Sequence, residues 1–129
     1  MKRVTGIGGI FFKAEDPKKM NEWYAKHLGV QMIFEWKEID HVHNAVPAKT
    51  VWCPFKEDTQ YFAPSHKPFM INYRVENLIE LLEALKKEGI AQVGEVEEHP
   101  YGKFAWIMDP EGHKIELWEP IDNGFDSAK

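Results

Sequence analysis

Two stretches of the chain carry one pattern at a constant offset: Ile10, Phe12, Ala14 and Asp16 in the first half are answered by Ile71, Tyr73, Val75 and Asn77 in the second. With a one-residue gap Gly29 then meets Gly89, and at a second offset Pro54, Gln60, Phe62 and Pro64 meet Pro110, Glu116, Trp118 and Pro120. Self-similarity of this kind marks a duplicated structural unit and restricts the chain to folds built from two equivalent halves. At 129 residues and 43% hydrophobic content the chain suits a single domain, so the halves are expected to share a core.

Each half reads as a strand, a helix and three strands. Val4–Ala14 alternates, with Ile10, Phe12 and Ala14 on one face and Gly9, Phe11 and Lys13 on the other. Gly6, Gly8 and Gly9 either weaken this strand or mark close approach of another group. Asp16-Pro17 opens a helix, because Asp accepts from free N–H groups and Pro is tolerated at the first helical position. Met20, Trp23, Tyr24, His27 and Leu28 follow at helical spacing, and Gly29 stops it. Val30–Trp36 reads as a strand, Lys37–Lys49 as a long polar loop, and Thr50–Phe55 and Thr59–Ala63 as two more strands. The first module therefore covers about residues 4–64, the proline-bracketed linker 65–68, and the second module about 69–120. In the second, Phe69–Val75 restarts the alternation and Asn77 caps a helix striped by Leu78, Leu81, Leu82 and Leu85 and ended by Gly89. Ile90–Val96 reads as a strand. Tyr101–Pro120 reads as a hairpin, since Asp109-Pro110-Glu111-Gly112 has the residues of a type I turn.

The net charge of −5, with acidic and basic residues mixed along the chain, argues against a nucleic-acid surface, which needs basic residues gathered on one face. No apolar run approaches the ~20 residues of a membrane helix, and Met1-Lys2-Arg3 leads into a strand pattern instead of a signal-peptide core. Cys53 is the lone cysteine, which excludes an internal disulfide framework and suits the reducing cytoplasm. Phosphate-binding and dinucleotide glycine fingerprints, a nucleophile elbow and zinc-finger spacings do not occur.

The segments GIFFKAEDPKKMNEWYAKHLGV and FAWIMDPEGHKIELWEP carry a resemblance to the vicinal oxygen chelate superfamily, the glyoxalase, bleomycin-resistance and extradiol-dioxygenase fold. The resemblance implies an α+β domain of two βαβββ modules that curl into a sheet cup, with helices on the convex side and a small molecule on the concave side. It also implies a homodimer. Metal-dependent members of this family place ligands at spots that map here to Gly9, Gln60, Met70 and Glu116. Gly9 has no side chain and Met70 is a soft thioether poorly suited to such ions. Only Gln60 and Glu116 retain oxygen donors, fewer than the three protein ligands of an open catalytic zinc site. No cofactor is therefore predicted, and a divalent metal is disfavoured. His41 and His43 would face one way in an extended segment, but a solvated loop is the simpler role. His27 suits a helix end, and His66, His99 and His113 read as surface residues.

Strand parity selects Phe11, Lys13, Gln60, Phe62, Met70, Asn72, Arg74, Glu116 and Trp118 for the cup, with Trp52 and Trp106 as further candidates. An apolar wall with a few polar groups is the make-up of a small-molecule pocket. Glu116 is the candidate catalytic residue, as a general acid or base or as an anchor for a ligand. The bland alternative is an ion pair with Arg74 or Lys13. Tyr101 either closes over a ligand or covers the sheet edge. Three functions stay open: a glyoxalase-like protein that binds and transforms a small organic molecule without the usual metal set, a non-catalytic sequestering protein, and a metal-dependent lyase or dioxygenase that recruits His41 and His43.

Overall fold

The structure, a computed structural model, describes residues 2–39 and 42–121. His41 lies outside the described residues. Strands β1 (Val4–Ala14), β2 (Ile33–Ile39), β3 (Ala45–Lys56), β4 (Phe69–Val75), β5 (Glu97–His99), β6 (Gly102–Met108) and β7 (Lys114–Pro120) accompany helices α1 (Pro17–Leu28) and α2 (Leu78–Lys87). All seven strands join one mixed sheet in the order β2-β3-β1-β4-β7-β6-β5. The expected α+β class holds. β1 and β4 pair antiparallel at its centre, and each has a parallel neighbour on its outer side, β3 and β7 respectively.

The helix signals act where the residues place them. Asp16 accepts from the Lys19 amide at 3.1 Å and Asn77 from the Glu80 amide at 3.1 Å, each filling one donor of a free first turn. Gly29 closes α1 with φ 66°, its amide bonded to the Ala25 carbonyl. At the hairpin tip, Asp109 Oδ1 accepts from the amides of Glu111 and His113, both at 2.9 Å, which ties β6 to β7.

Alternation sorts the two faces. Val75, Ala105 and Leu117 pack under Leu78 and Leu81 of α2. Phe11, Met70, Phe104, Trp106 and Trp118 build a second cluster on the opposite face, completed by Phe62. α1 covers its side thinly: Tyr24 meets Trp52 with ring centroids at 4.7 Å, and no residue of α1 is fully buried.

Three segments differ from their sequence patterns. Lys37–Lys49 is largely strand, because β2 and β3 pair from Ile33 opposite Val51 to Ile39 opposite Ala45, and cross-strand bonding overrides polar composition. Thr59–Ala63 is not a strand. Successive turn bonds from Thr59 N to Lys56 O, Ala63 N to Gln60 O and Ser65 N to Phe62 O coil it over the sheet. Ile90–Val96 contributes a single bridge, Gln92 to Ile107, before Gly94 turns the chain at φ 72°, and the short β5 follows.

Candidate functional site

On the face away from the helices lies a cavity of about 370 Å³, within the range of small-molecule sites. Its floor is dictated by register. β4 sets Asn72 beside Glu116, β6 sets Trp106 beside Glu116, and β1 sets Gly9 beside Asn72. Residues paired across adjacent strands point to the same face, so polar and aromatic groups converge in one row. Gly8 lets that row close up: a Cβ there would stand 2.3 Å from Asn72 Oδ1 and 2.8 Å from the Trp118 ring.

Glu116 is 2% exposed and is held by three neutral donors. Asn72 Nδ2 donates to Oε1 at 2.6 Å, Trp106 Nε1 donates to Oε2 at 3.0 Å, and the Tyr61 hydroxyl donates to the same Oε2. All three are donors, so the carboxyl acts toward them purely as an acceptor, the part an ionised carboxylate plays. Tyr61 is correspondingly held in its phenol form. Its pKa is raised, first by burial and then by the Glu116 charge and hydrogen bond. Lys114 donates to the Tyr61 carbonyl at 2.9 Å and lies over the Tyr61 and Trp106 rings, and burial lowers its pKa against the opposing pull of Glu116 and Glu97.

Aromatic side chains make the walls. Phe11 and Phe55 come from β1 and β3, Tyr61 from the turn segment, Tyr101 from the approach to β6, Phe104 and Trp106 from β6, and Trp118 from β7. Phe55 stacks on Tyr61 and Phe104 on Trp118, with interplanar angles of 11° and 6°. At the rim His99 stacks on Tyr101 at 3°, and its Nε2 meets Glu97 Oε1 at 3.2 Å.

Of the residues singled out by parity, Phe11, Asn72, Trp106, Glu116 and Trp118 line the cavity. Phe62 and Met70 lie beneath it, both 0% exposed. Arg74 is also buried, but its guanidinium donates to the Lys49 carbonyl and to Glu38 and sits between the Trp36 and Trp118 rings. Arg74 therefore backs the wall; Glu116 takes its donors elsewhere. Trp52 stands apart: β3 pairs it with Ile10, so it faces α1, and the residues of β3 that face the cavity are Val51 and Phe55. Gln60 also stands apart, donating to the Asp58 carbonyl in an exposed turn. Because that segment is no strand, the residue that pairs with β1 as Glu116 pairs with β4 is Cys53, through Phe11. Burial raises the Cys53 thiol pKa.

Tyr61 and His99 were not legible as site residues. Tyr61 sits between the candidates Gln60 and Phe62 in a coiled segment whose sequence fits a strand, and His99, beside a proline, has the sequence setting of a surface residue. The remaining signal for Tyr61 was its place in an aromatic pair with Phe62. Tyr101, left open between closing a site and covering an edge, lines the cavity.

The family's metal positions do not form a ligand set in this fold. The space over Gly9 is taken by the Phe11 ring, 2.6 Å from where a Cβ would lie, Met70 is packed in the apolar cluster beneath the cavity, and Gln60 turns to the Asp58 carbonyl. Around Glu116 both oxygens accept from the protein, Oε2 from Tyr61 and Trp106 and Oε1 from Asn72. No group of three or more His, Cys, Asp or Glu side chains suited to an ion occurs among the described residues. No helix among them is long and apolar enough to cross a membrane.

A family model described as Glyoxalase/Bleomycin resistance protein/Dioxygenase superfamily matches residues 6–117. No curated protein matches the chain in sequence. Among solved structures it is similar to methylmalonyl-CoA epimerase from Mycobacterium tuberculosis, with TM-score 0.61 and 20% identity over 93% of this chain and 91% of that one. A Streptomyces coelicolor methylmalonyl-CoA epimerase in complex with 2-nitronate-propionyl-CoA gives TM-score 0.64 and 12% identity over 92% and 96%. A 2,3-dioxygenase from Pseudomonas sp. KL28 gives TM-score 0.59 and 18% identity over 93% of this chain but 42% of its own length. At these identities the likeness is one of fold.

Proposed function

The chain belongs to the Glyoxalase/Bleomycin resistance protein/Dioxygenase superfamily, and from that premise we propose that it binds a small organic molecule against Glu116 without a divalent ion. The observation that carries this reading is the donor cage: both oxygens of Glu116 already accept hydrogen bonds from Tyr61, Trp106 and Asn72. With both oxygens committed to donors of the protein, the part of this carboxylate is to anchor and orient. Phe11, Phe104 and Trp118 supply the apolar contact. Sequestration is accordingly favoured over proton abstraction. The expectation of paired copies belongs to the same reading, supported by Ile7 and Ile10, which lie in a central strand yet are each 39% exposed.

The test is elemental analysis of protein purified without chelator, followed by a thermal-shift screen of small aromatic molecules on the wild type and Glu116→Gln. A ligand at 100 times its dissociation constant stabilises by about 2.7 kcal/mol. The expected result is no stoichiometric metal, a ligand shift in the wild type and a smaller shift in the variant. A stoichiometric divalent ion lost in Glu116→Gln would overturn the metal-free reading. Turnover of a bound ligand that Glu116→Gln abolishes while binding persists would overturn sequestration.

A further inference from the structure

Resting on that binding reading, we propose that the cavity selects a flat aromatic cation. The sign of the charge follows from the lining, where Glu97 stands at the rim and Glu116 on the floor, with no lysine or arginine among the described residues that line it. Lys114 reaches this cluster from behind the wall, over the Tyr61 and Trp106 rings at 5.5 and 5.4 Å. Arg74, behind the Trp118 wall, is paired with Glu38, so among the described residues the carboxylates of Glu97 and Glu116 are faced by the Lys114 ammonium, and the His99 ring nitrogen at the rim is already engaged with Glu97.

Shape points the same way. Three near-parallel ring pairs border the cavity, Phe55 with Tyr61, Phe104 with Trp118 and His99 with Tyr101. Ring faces attract a cation through their quadrupoles and accept a planar partner by stacking. Asn72 lines the same cavity and is 2% exposed. Its Nδ2 is committed to Glu116, while its Oδ1, on the Gly8 side of the wall, has no hydrogen-bond partner. A buried acceptor left without a donor is unfavourable. That oxygen is itself closed off behind Gly8, so the cost is carried inside the floor and is not relieved through the cavity.

Three probes of similar shape separate the terms: 4-aminoquinoline, a cation at pH 7, neutral quinoline, and anionic naphthalene-2-sulfonate. Titration calorimetry on the full chain is expected to rank them in that order, with 4-aminoquinoline at least tenfold tighter than quinoline and weakened by added salt. Glu97 is largely exposed, so Glu97→Gln should fold normally; it is expected to lose several-fold in affinity for the cation and none for quinoline. If quinoline or the sulfonate binds as tightly as the cation, the charge selection is wrong and the binding reading stands. If none of the three binds, the proposal is overturned. The binding reading itself falls only when the wider thermal-shift screen is blank as well.

Discussion

Glu116 accepts from three neutral groups, and the hydroxyl of Tyr61 can be removed with least disturbance to the rest of the floor. Hydrogen bonds to charged groups contribute about 1.5–3 kcal/mol, and Tyr61 is 39% exposed, so solvent screening places Tyr61→Phe at the low end of that range. Denaturant unfolding at neutral pH measures it. The pH dependence has a definite sign. Tyr61 has a raised pKa in the folded protein, from burial first and Glu116 second, whereas the unfolded chain releases the phenolic proton near pH 10. Its contribution is therefore complete below about pH 10 and declines as the pH rises beyond it, because the unfolded state then binds fewer protons. The stability gap between wild type and Tyr61→Phe is expected to narrow from pH 10 upward. A gap that stays constant to pH 11.5 would show that the phenol is not tied to Glu116.

At the level of elements, β6 begins at a residue that only glycine fits. Gly102 has φ 137°, and a Cβ there would lie 2.3 Å from the Glu119 carbonyl and 2.5 Å from Trp118 Nε1. Backbone held in such a region costs a side-chain-bearing residue about 1–3 kcal/mol. Gly102→Ala is expected to lose at least that much in urea unfolding, and to weaken ligand binding because Trp118 is a wall residue; a variant of unchanged stability would contradict the close approach. The helices, β1, β4 and the final hairpin were legible because caps, turn residues and alternation act locally: Asp16, Asn77 and the Asp109–Gly112 turn all behave as their chemistry dictates. The coil at Thr59–Ala63 was not, since its alternating Gln60, Tyr61 and Phe62 fit a strand as well as a turn. Register also mattered: one position of parity in β3 moved Trp52 from the cup to the helix side.

Across the whole molecule, the cavity belongs to both halves of the sheet. Phe11, Val51, Phe55 and Tyr61 come from the first, and Asn72, Phe104, Trp106, Glu116 and Trp118 from the second. Phe11, Asn72, Trp106, Glu116 and Trp118 follow from alternation and were readable from sequence; Val51 and Phe55 were not, because parity in β3 runs opposite to Trp52, nor were Phe104 and the residues set by a coil and a short edge strand, Tyr61 and His99. β1 and β4 join the halves by backbone pairing and by Phe11 opposite Met70, both in the cluster beneath the cavity. Neither half closes that cluster alone, so the chain is expected to unfold in one cooperative step. Tryptophans occur in both halves, Trp23, Trp36 and Trp52 in the first and Trp106 and Trp118 in the second. Tryptophan fluorescence and far-ultraviolet circular dichroism should therefore give coincident urea transitions, with a slope of about 1–3 kcal/mol/M. A bound ligand should move both curves together, because it touches groups from each half. Separated midpoints, with only one of them shifted by ligand, would mean that one half holds the site without the other.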